Sequence, residues 1–320
     1  MIEKCRLCKS KKLHSHYEID EENILYKCEN CKLLQLITLG KNELDDTANN
    51  ESIKQDIKRK TSKKDMEMNE KEDFPEIMKN LAHVLNQDRK RIRNVVEKLI
   101  DSNEKNTLID IGSGYGHISF EIGNNNPNLD VHLLETSKDR MEMGIDTFKP
   151  DKQKFNFHHN LLDQHFSAKY LESFDVSLCF HVLEHVYDPV DFIKNMFSIT
   201  KSRGFMVIEV PNDDDDLIKL SSYYKKIISV PAHVSCWTKD TLLLLVEKAD
   251  IVDKVAVEFL PVQRYGFFNY IDWLRHNDKD LVLSDDYTPR EELSWIEKLW
   301  LDTKKKNFST DSIMMLIKKN

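Results

Sequence analysis

The chain has 320 residues, 40% hydrophobic and 32% charged, with four Trp, fifteen Phe and ten Tyr, which excludes a disordered chain and allows one full-sized domain plus a small module. A net charge of −8 excludes a general nucleic-acid binder, which needs a clustered positive field, so nucleic acid is not an expected partner. The opening MIEKCRLCKSKK lacks an apolar core and no run approaches the ~18–20 apolar residues of a membrane span, so the cytoplasm is the expected location.

In chain order, the first signal is cysteine. Cys5-x2-Cys8 and Cys28-x2-Cys31 stand nineteen residues apart, the four-thiolate spacing of a zinc ribbon or knuckle. A tetrahedral Zn2+ held this way staples about thirty residues that could not otherwise bury a core, and four cysteine ligands leave no open position, so the expected metal is structural. Cys179 and Cys236 stand singly in apolar segments, which fits a reducing compartment. Residues 1–38 are therefore read as a four-cysteine zinc-binding module. Residues 39–73 lack apolar periodicity and are read as a charged linker, containing the basic segment KQDIKRKTSKK at 54–64.

From Phe74, apolar residues recur at helical spacing through Ile77, Leu81, Val84, Leu85, Ile92, Val95, Val96 and Leu99, predicting one or two amphipathic helices. Short β-rich runs then alternate with helical stretches: TLIDIG, DVHLLE, FNFHH, FDVSLCF, GFMVIEVP, VDKVAVEFL and SIMMLIKK. Such alternation predicts an α/β domain over 74–320, with a mostly parallel sheet covered by helices on both faces. An aromatic-rich insertion at about 261–308 carries Tyr265, Phe267, Phe268, Tyr270, Trp273, Trp295 and Trp300. It is suited to a substrate lid, a carbohydrate platform, a buried helical insertion or the face of a homodimer.

The strongest chemical signal is LIDIGSGYG at 108–116, where Gly112, Gly114 and Gly116 alternate after a hydrophobic strand. A strand running into such a loop and then a helix lets backbone approach a ligand where a Cβ would collide. The G-x-G-x-G spacing departs from the G-x-G-x-x-G dinucleotide fingerprint. The next strand ends in Glu135, twenty-one residues beyond Gly114, where an acid can accept the hydroxyls of a ribose.

The pattern D-x-G-x-G-x-G resembles the first motif of class I S-adenosylmethionine-dependent methyltransferases. FDVSLCFHVLEHVYDPVDFIKN resembles the fourth strand and following segment of the group that includes ubiquinone-pathway and sugar methyltransferases. GFMVIEVPN resembles the fifth strand, and AHVSCWTKDTLLLLVEKADI the substrate-side segment. The resemblance implies a Rossmann-like seven-stranded sheet with S-adenosyl-L-methionine across the strand ends. It places Asp110, Gly112, Gly114 and Gly116 around the methionine portion, Glu135 at the ribose, Asn160 at the adenine edge and His181 beside the sulfonium. Asn160 stands where the group usually has aspartate. Zinc modules precede the same domain in a group resembling deoxysugar C-methyltransferases, where a histidine at the position of His233 is the base; Ala232 stands where that group has a carboxylate.

Methyl transfer needs alignment and a base for a hydroxyl or an acidic carbon. The candidates are His233, His181 and His185, with Asn212, Tyr223, Tyr224 and Trp237 on the substrate side. HVLEH at 181–185 formally matches an inverted zinc-protease motif, but the preceding strand FDVSLCF suits a methyltransferase and not a protease helix. The acidic run Asp213–Asp216 reads as a solvated loop, or as an element favouring a cationic substrate. The expected activity is O- or C-methylation of a sugar, sugar nucleotide or glycan precursor. RNA methylation aided by the zinc module, and a non-catalytic cofactor-binding scaffold, are the alternatives.

Overall fold

The computed structural model describes residues 4–38, 82–101, 103–221, 224–225, 229, 232–275 and 293–320. The linker at 39–73, the start of the predicted helix and Tyr223 lie outside the described residues.

The chain begins with a meander of β1 (Leu13–Glu18), β2 (Asn23–Cys28) and β3 (Leu34–Thr38), antiparallel throughout. Helix α1 (Ala82–Val96) follows, burying Ile92 and Val96 one helical turn apart. Then come β4 (Asn106–Ile111), α2 (His117–Asn125), β5 (Leu129–Glu135), α3 (Lys138–Phe148), β6 (Phe155–His159), α4 (Gln164–Lys169) and β7 (Phe174–Phe180). Next are α5 (Pro189–Ile199), β8 (Thr200–Pro211), α6 (Asp216–Leu220), β9 (Ser235–Cys236), α7 (Lys239–Lys248) and β10 (Val255–Val262). Helices α8 (Phe267–Arg275) and α9 (Ser294–Lys306) lead into β11 (Ser312–Lys319).

Seven strands form one sheet in the order β10-β11-β8-β7-β4-β5-β6, with β11 antiparallel to both neighbours. All seven predicted runs are strands of this sheet. Alternation divides the core: Ile109 and Ile111 pack on one face with Cys179, Ile208 and α5, while Leu108 packs on the other with Val131, Val176, α1 and α2. Each fully buried aliphatic side chain contributes roughly 1.5–3 kcal/mol. The chain leaves β4 toward β5 and β6, then returns to β4's other side as β7, so the strand order reverses between β4 and β7. In an open α/β sheet, ligands bind beyond the strand ends at that reversal.

The N-terminal module is not a separate knob. β3 pairs antiparallel with β9, Leu34 opposite Cys236 and Gln35 opposite Ser235, so the module's sheet is completed by the segment that carries His233.

In the insertion, Trp273 stacks on Tyr224 with ring centroids 5.2 Å apart, and Tyr265 meets Trp273 edge-on at 4.9 Å. Trp300 packs against Phe267 and Tyr270. The acidic run departs from the solvated-loop expectation at Asp215 and Asp216, while Asp214 is exposed. Asp215 is buried and caps α6, and the buried Lys304 of α9 donates from Nζ to its Oδ1 at 2.7 Å and also to Asp216. These acids anchor the insertion.

Candidate functional site

All three loop glycines have left-handed backbones, with φ of 71°, 56° and 73° at 112, 114 and 116. A Cβ at Gly112 would meet the Val182 side chain at 2.4 Å, and one at Gly116 would meet Phe120 and Leu133 within 2.8 Å. A Cβ at Gly114 would meet nothing within 4 Å. Gly112 and Gly116 thus permit tight packing, while Gly112 and Gly114 both border a cavity, Gly114 with open space where a Cβ would stand.

That cavity has a volume of about 490 Å³ and lies at the strand-order reversal, bounded by Ile111, Gly112, Gly114, Glu135, His181 and His185 among others. Its charged lining comprises Glu135, Asp163, Asp188 and Asp191 against Arg140. Four acids against one arginine suit a cationic ligand. Glu135 is fixed from two sides: Oε2 accepts from the Gly114 N–H and Oε1 from the Ser137 N–H, both at 2.8 Å. A carboxylate held this way is fixed in place, with lone pairs left to accept further hydrogen bonds. Asn160 lies on the wall, its Oδ1 accepting from the Leu161 N–H, beside Asp163, which caps α4. Asp110 and Gly116 are not among the lining residues. Asp110 sits beneath the loop and accepts from Ser119 Oγ–H at 2.6 Å; burial pushes its pKa up to about 6. It ties the glycine loop to α2.

At the cavity's other side, His181 follows β7 with a left-handed backbone, φ 53°, an arrangement that costs a non-glycine residue free energy and is often found at working sites. Its ring nitrogens lie 3.4 Å from carboxylate oxygens of Glu184 and of Glu209. Glu209, at the end of β8, is fully buried and grips the Arg91 guanidinium through both oxygens. Asp88 bridges Arg91 and Arg264 at 2.8 and 2.7 Å. A buried run of alternating charge therefore connects α1 to His181 and Glu184. Burial opposes the ionisation of Glu184, but the neighbouring His181, with His185 and His233, outweighs it and holds the carboxyl down to about 2.

The 3-10 turn Leu183–His185 brings His185 to the cavity, where its Nδ1 lies 2.7 Å from the Ala232 carbonyl oxygen. A carbonyl only accepts, so Nδ1 carries the hydrogen and Nε2 is the basic nitrogen. The His233 ring stands 5.0 Å from that of His185, inclined at 63°. Ligand-type atoms of Glu184, His185 and His233 lie within 4.8 Å of one another. The three histidine candidates are thus brought together, although His233 itself is not among the cavity-lining residues.

The substrate-side residues are placed differently from the sequence expectation. Asn212 is 1% exposed and its amide donates to the carbonyls of Phe308 and Thr310. Trp237 is fully buried in the core and Tyr224 is stacked on Trp273. None of the three lines the cavity; all three hold the loop after β8 to the rest of the fold. Sequence reasoning missed Glu209, Arg91 and Asp88. Glu209 had a signal, a lone acid in the otherwise apolar VIEVP, whereas the arginine partner on α1 had none.

In the module, the Sγ atoms of Cys5, Cys8, Cys28 and Cys31 all lie within 4.8 Å of one another, and none is in a disulfide. Each Cys-x2-Cys pair is followed by a left-handed lysine, Lys9 at φ 58° and Lys32 at φ 65°. The N–H of each lysine donates to the carbonyl of its pair's first cysteine, at 2.9 and 3.0 Å. Two equivalent turns facing one point are the donor geometry that a tetrahedral thiophilic ion requires.

The chain matches the family described as a methyltransferase domain over residues 81–252, more than half its length. It belongs to that family. Ubiquinone biosynthesis O-methyltransferase from Coxiella burnetii (strain RSA 493 / Nine Mile phase I) is 28% identical over 107 residues, covering 33% of this chain and 43% of the relative. The chain thus matches less than half of that relative's length. Among solved structures, a SAM-dependent methyltransferase from Archaeoglobus fulgidus is 18% identical, covers 73% of this chain and 94% of its own, and has a TM-score of 0.48. The plantazolicin methyltransferase BamL, solved with SAH, is 11% identical, covering 86% of this chain and 98% of its own at a TM-score of 0.48. Among the described residues, no helix of this family member is long and apolar enough to cross a membrane.

Proposed function

We propose that this methyltransferase uses S-adenosyl-L-methionine to methylate an oxygen or acidic carbon of a small organic acceptor, a sugar, sugar nucleotide or glycan precursor. The observation that carries the reading is the pairing, across one cavity, of the anchored Glu135 carboxylate with the tautomerically fixed His185. Bound there, the cofactor supplies an electrophilic methyl on a sulfonium centre. Glu135 holds the ribose hydroxyls, the Gly114 backbone admits the methionine portion, and the acid-rich lining favours positive charge. His185 Nε2 takes the proton from the acceptor, and His233 beside it orients the acceptor or relays that proton outward. Resemblance of the His233 segment to sugar methyltransferases supports the acceptor class. Incubating purified chain with labelled cofactor and pools of sugar nucleotides tests the reading; label entering none of them, while cofactor binds, removes the acceptor class.

The four module thiols fit one structural Zn2+, which would cross-link the two turns. The cluster of one carboxylate, Glu184, with two imidazoles, His185 and His233, favours a second reading, in which these groups ligate a divalent cation that binds the acceptor's oxygens. Turnover surviving exhaustive chelation at that site disposes of it.

A further inference from the structure

We propose that Arg6 is a positioning residue for acceptor methylation: its guanidinium locks the four-cysteine module to the segment bearing His233, making the module part of the acceptor site. The inference rests on the methyltransferase reading of that site. Arg6 lies between Cys5 and Cys8, yet its side chain leaves the thiol cluster and is 6% exposed. Its backbone N–H donates to Gln35 Oε1 at 2.8 Å. From Nη1 it donates to the carbonyl of Leu36 in β3 at 2.8 Å and to that of Val234 at 3.0 Å. The Leu36 N–H donates to the same Val234 carbonyl at 3.0 Å.

His233 therefore lies between the restrained Ala232–His233 peptide and, one residue further on, the restrained Val234–Ser235 peptide. The Ala232 carbonyl before it is held by His185, and the Val234 carbonyl after it by Leu36 and Arg6. His185 thus restrains the backbone before His233, and the module restrains it one residue after, so the placement of the His233 side chain depends on both. The Arg6 guanidinium carbon also stands 5.1 Å over the ring of Tyr187, which lines the cavity. One cation thus touches β3, the His233 segment and the cavity wall. Hydrogen bonds from a charged donor are the stronger kind, and a group that orients an acceptor loses much of its effect when displaced by an ångström.

The test uses the full, zinc-replete chain with Arg6→Met and Arg6→Lys. Imidazole resonances of His185 and His233, amide exchange at Leu36, cofactor affinity and acceptor kinetics are measured on each. In Arg6→Met the two imidazoles shift, Leu36 exchanges at least about tenfold faster, and acceptor kcat/KM falls about tenfold or more while cofactor affinity is retained. Arg6→Lys, keeping a charged donor, recovers part of each change. Wild-type imidazole resonances and Leu36 exchange in both variants overturn the proposal, as does a loss confined to metal retention. If wild type itself binds no cofactor, the methyltransferase reading fails, and resonances and exchange still decide whether Arg6 fixes the His233 segment.

Discussion

His185 donates its Nδ1–H to the carbonyl oxygen of Ala232 across 2.7 Å, joining the turn after β7 to the residue before His233. The bond fixes the tautomer of the neutral ring, leaving Nε2 as the nitrogen that would serve as the proposed base. His185→Ala should lower kcat by roughly 10²–10⁴-fold while cofactor affinity, read by calorimetry, stays within the range of the wild type. His233→Ala should also abolish most turnover; unchanged turnover in both would remove the imidazole pair from the chemistry.

His181 gives a pH signature. Burial and Arg264 pull its pKa down, but Glu184 and Glu209 outweigh them and hold it above the ordinary histidine value. A proton on His181 and a sulfonium in the same cavity repel each other. Affinity for S-adenosylmethionine should therefore rise with pH as the solution passes above the ordinary histidine range and His181 loses its proton, while affinity for the demethylated product, whose sulfur carries no charge, changes less. The ratio of the two dissociation constants against pH checks this, and His181→Asn should flatten it.

Lys304 and Asp215 form a buried pair that joins α9 to α6. Lys304→Met should destabilise the fold by about 3–5 kcal/mol in urea unfolding, because it leaves a buried carboxylate without its cation. Lys304→Met with Asp215→Asn should recover most of the loss. Equal stability of the single and double variants would show that the pair does not anchor the insertion.

The four thiols predict one zinc per chain. Cys28→Ser should lower that stoichiometry and, through the β3–β9 pairing, reduce amide protection at Cys236 as well as within the module. Loss of metal with Cys236 protected as in the wild type would show the two parts to be independent.

The main sheet was legible because strands buried on both faces, such as Leu108–Ile111, read as apolar runs between helical periods. The loop was legible from three glycines at alternate positions. Its division of labour was not: that a Cβ is excluded at Gly112 and Gly116 but has open space at Gly114 depends on Val182, Phe120 and Leu133, which stand outside the loop. Pairing of β3 with the two-residue β9 was hidden for the same reason, since two residues carry no period. Asn212, Trp237 and Tyr224 looked like substrate contacts because polar and aromatic residues serve sites and cores alike. Only the carbonyls of Phe308 and Thr310 and the ring of Trp273 show which use is made of them here.

Calorimetric titration of S-adenosylmethionine into the wild type and Gly114→Arg tests the cofactor site most directly. A Cβ has free space at Gly114, so the substitution costs the fold only about 1–2 kcal/mol of left-handed backbone strain while filling the ligand's place. One-to-one binding by the wild type, lost in Gly114→Arg with its circular dichroism intact, is the expected result. Absence of binding by folded wild type, or equal binding by both proteins, would contradict the account.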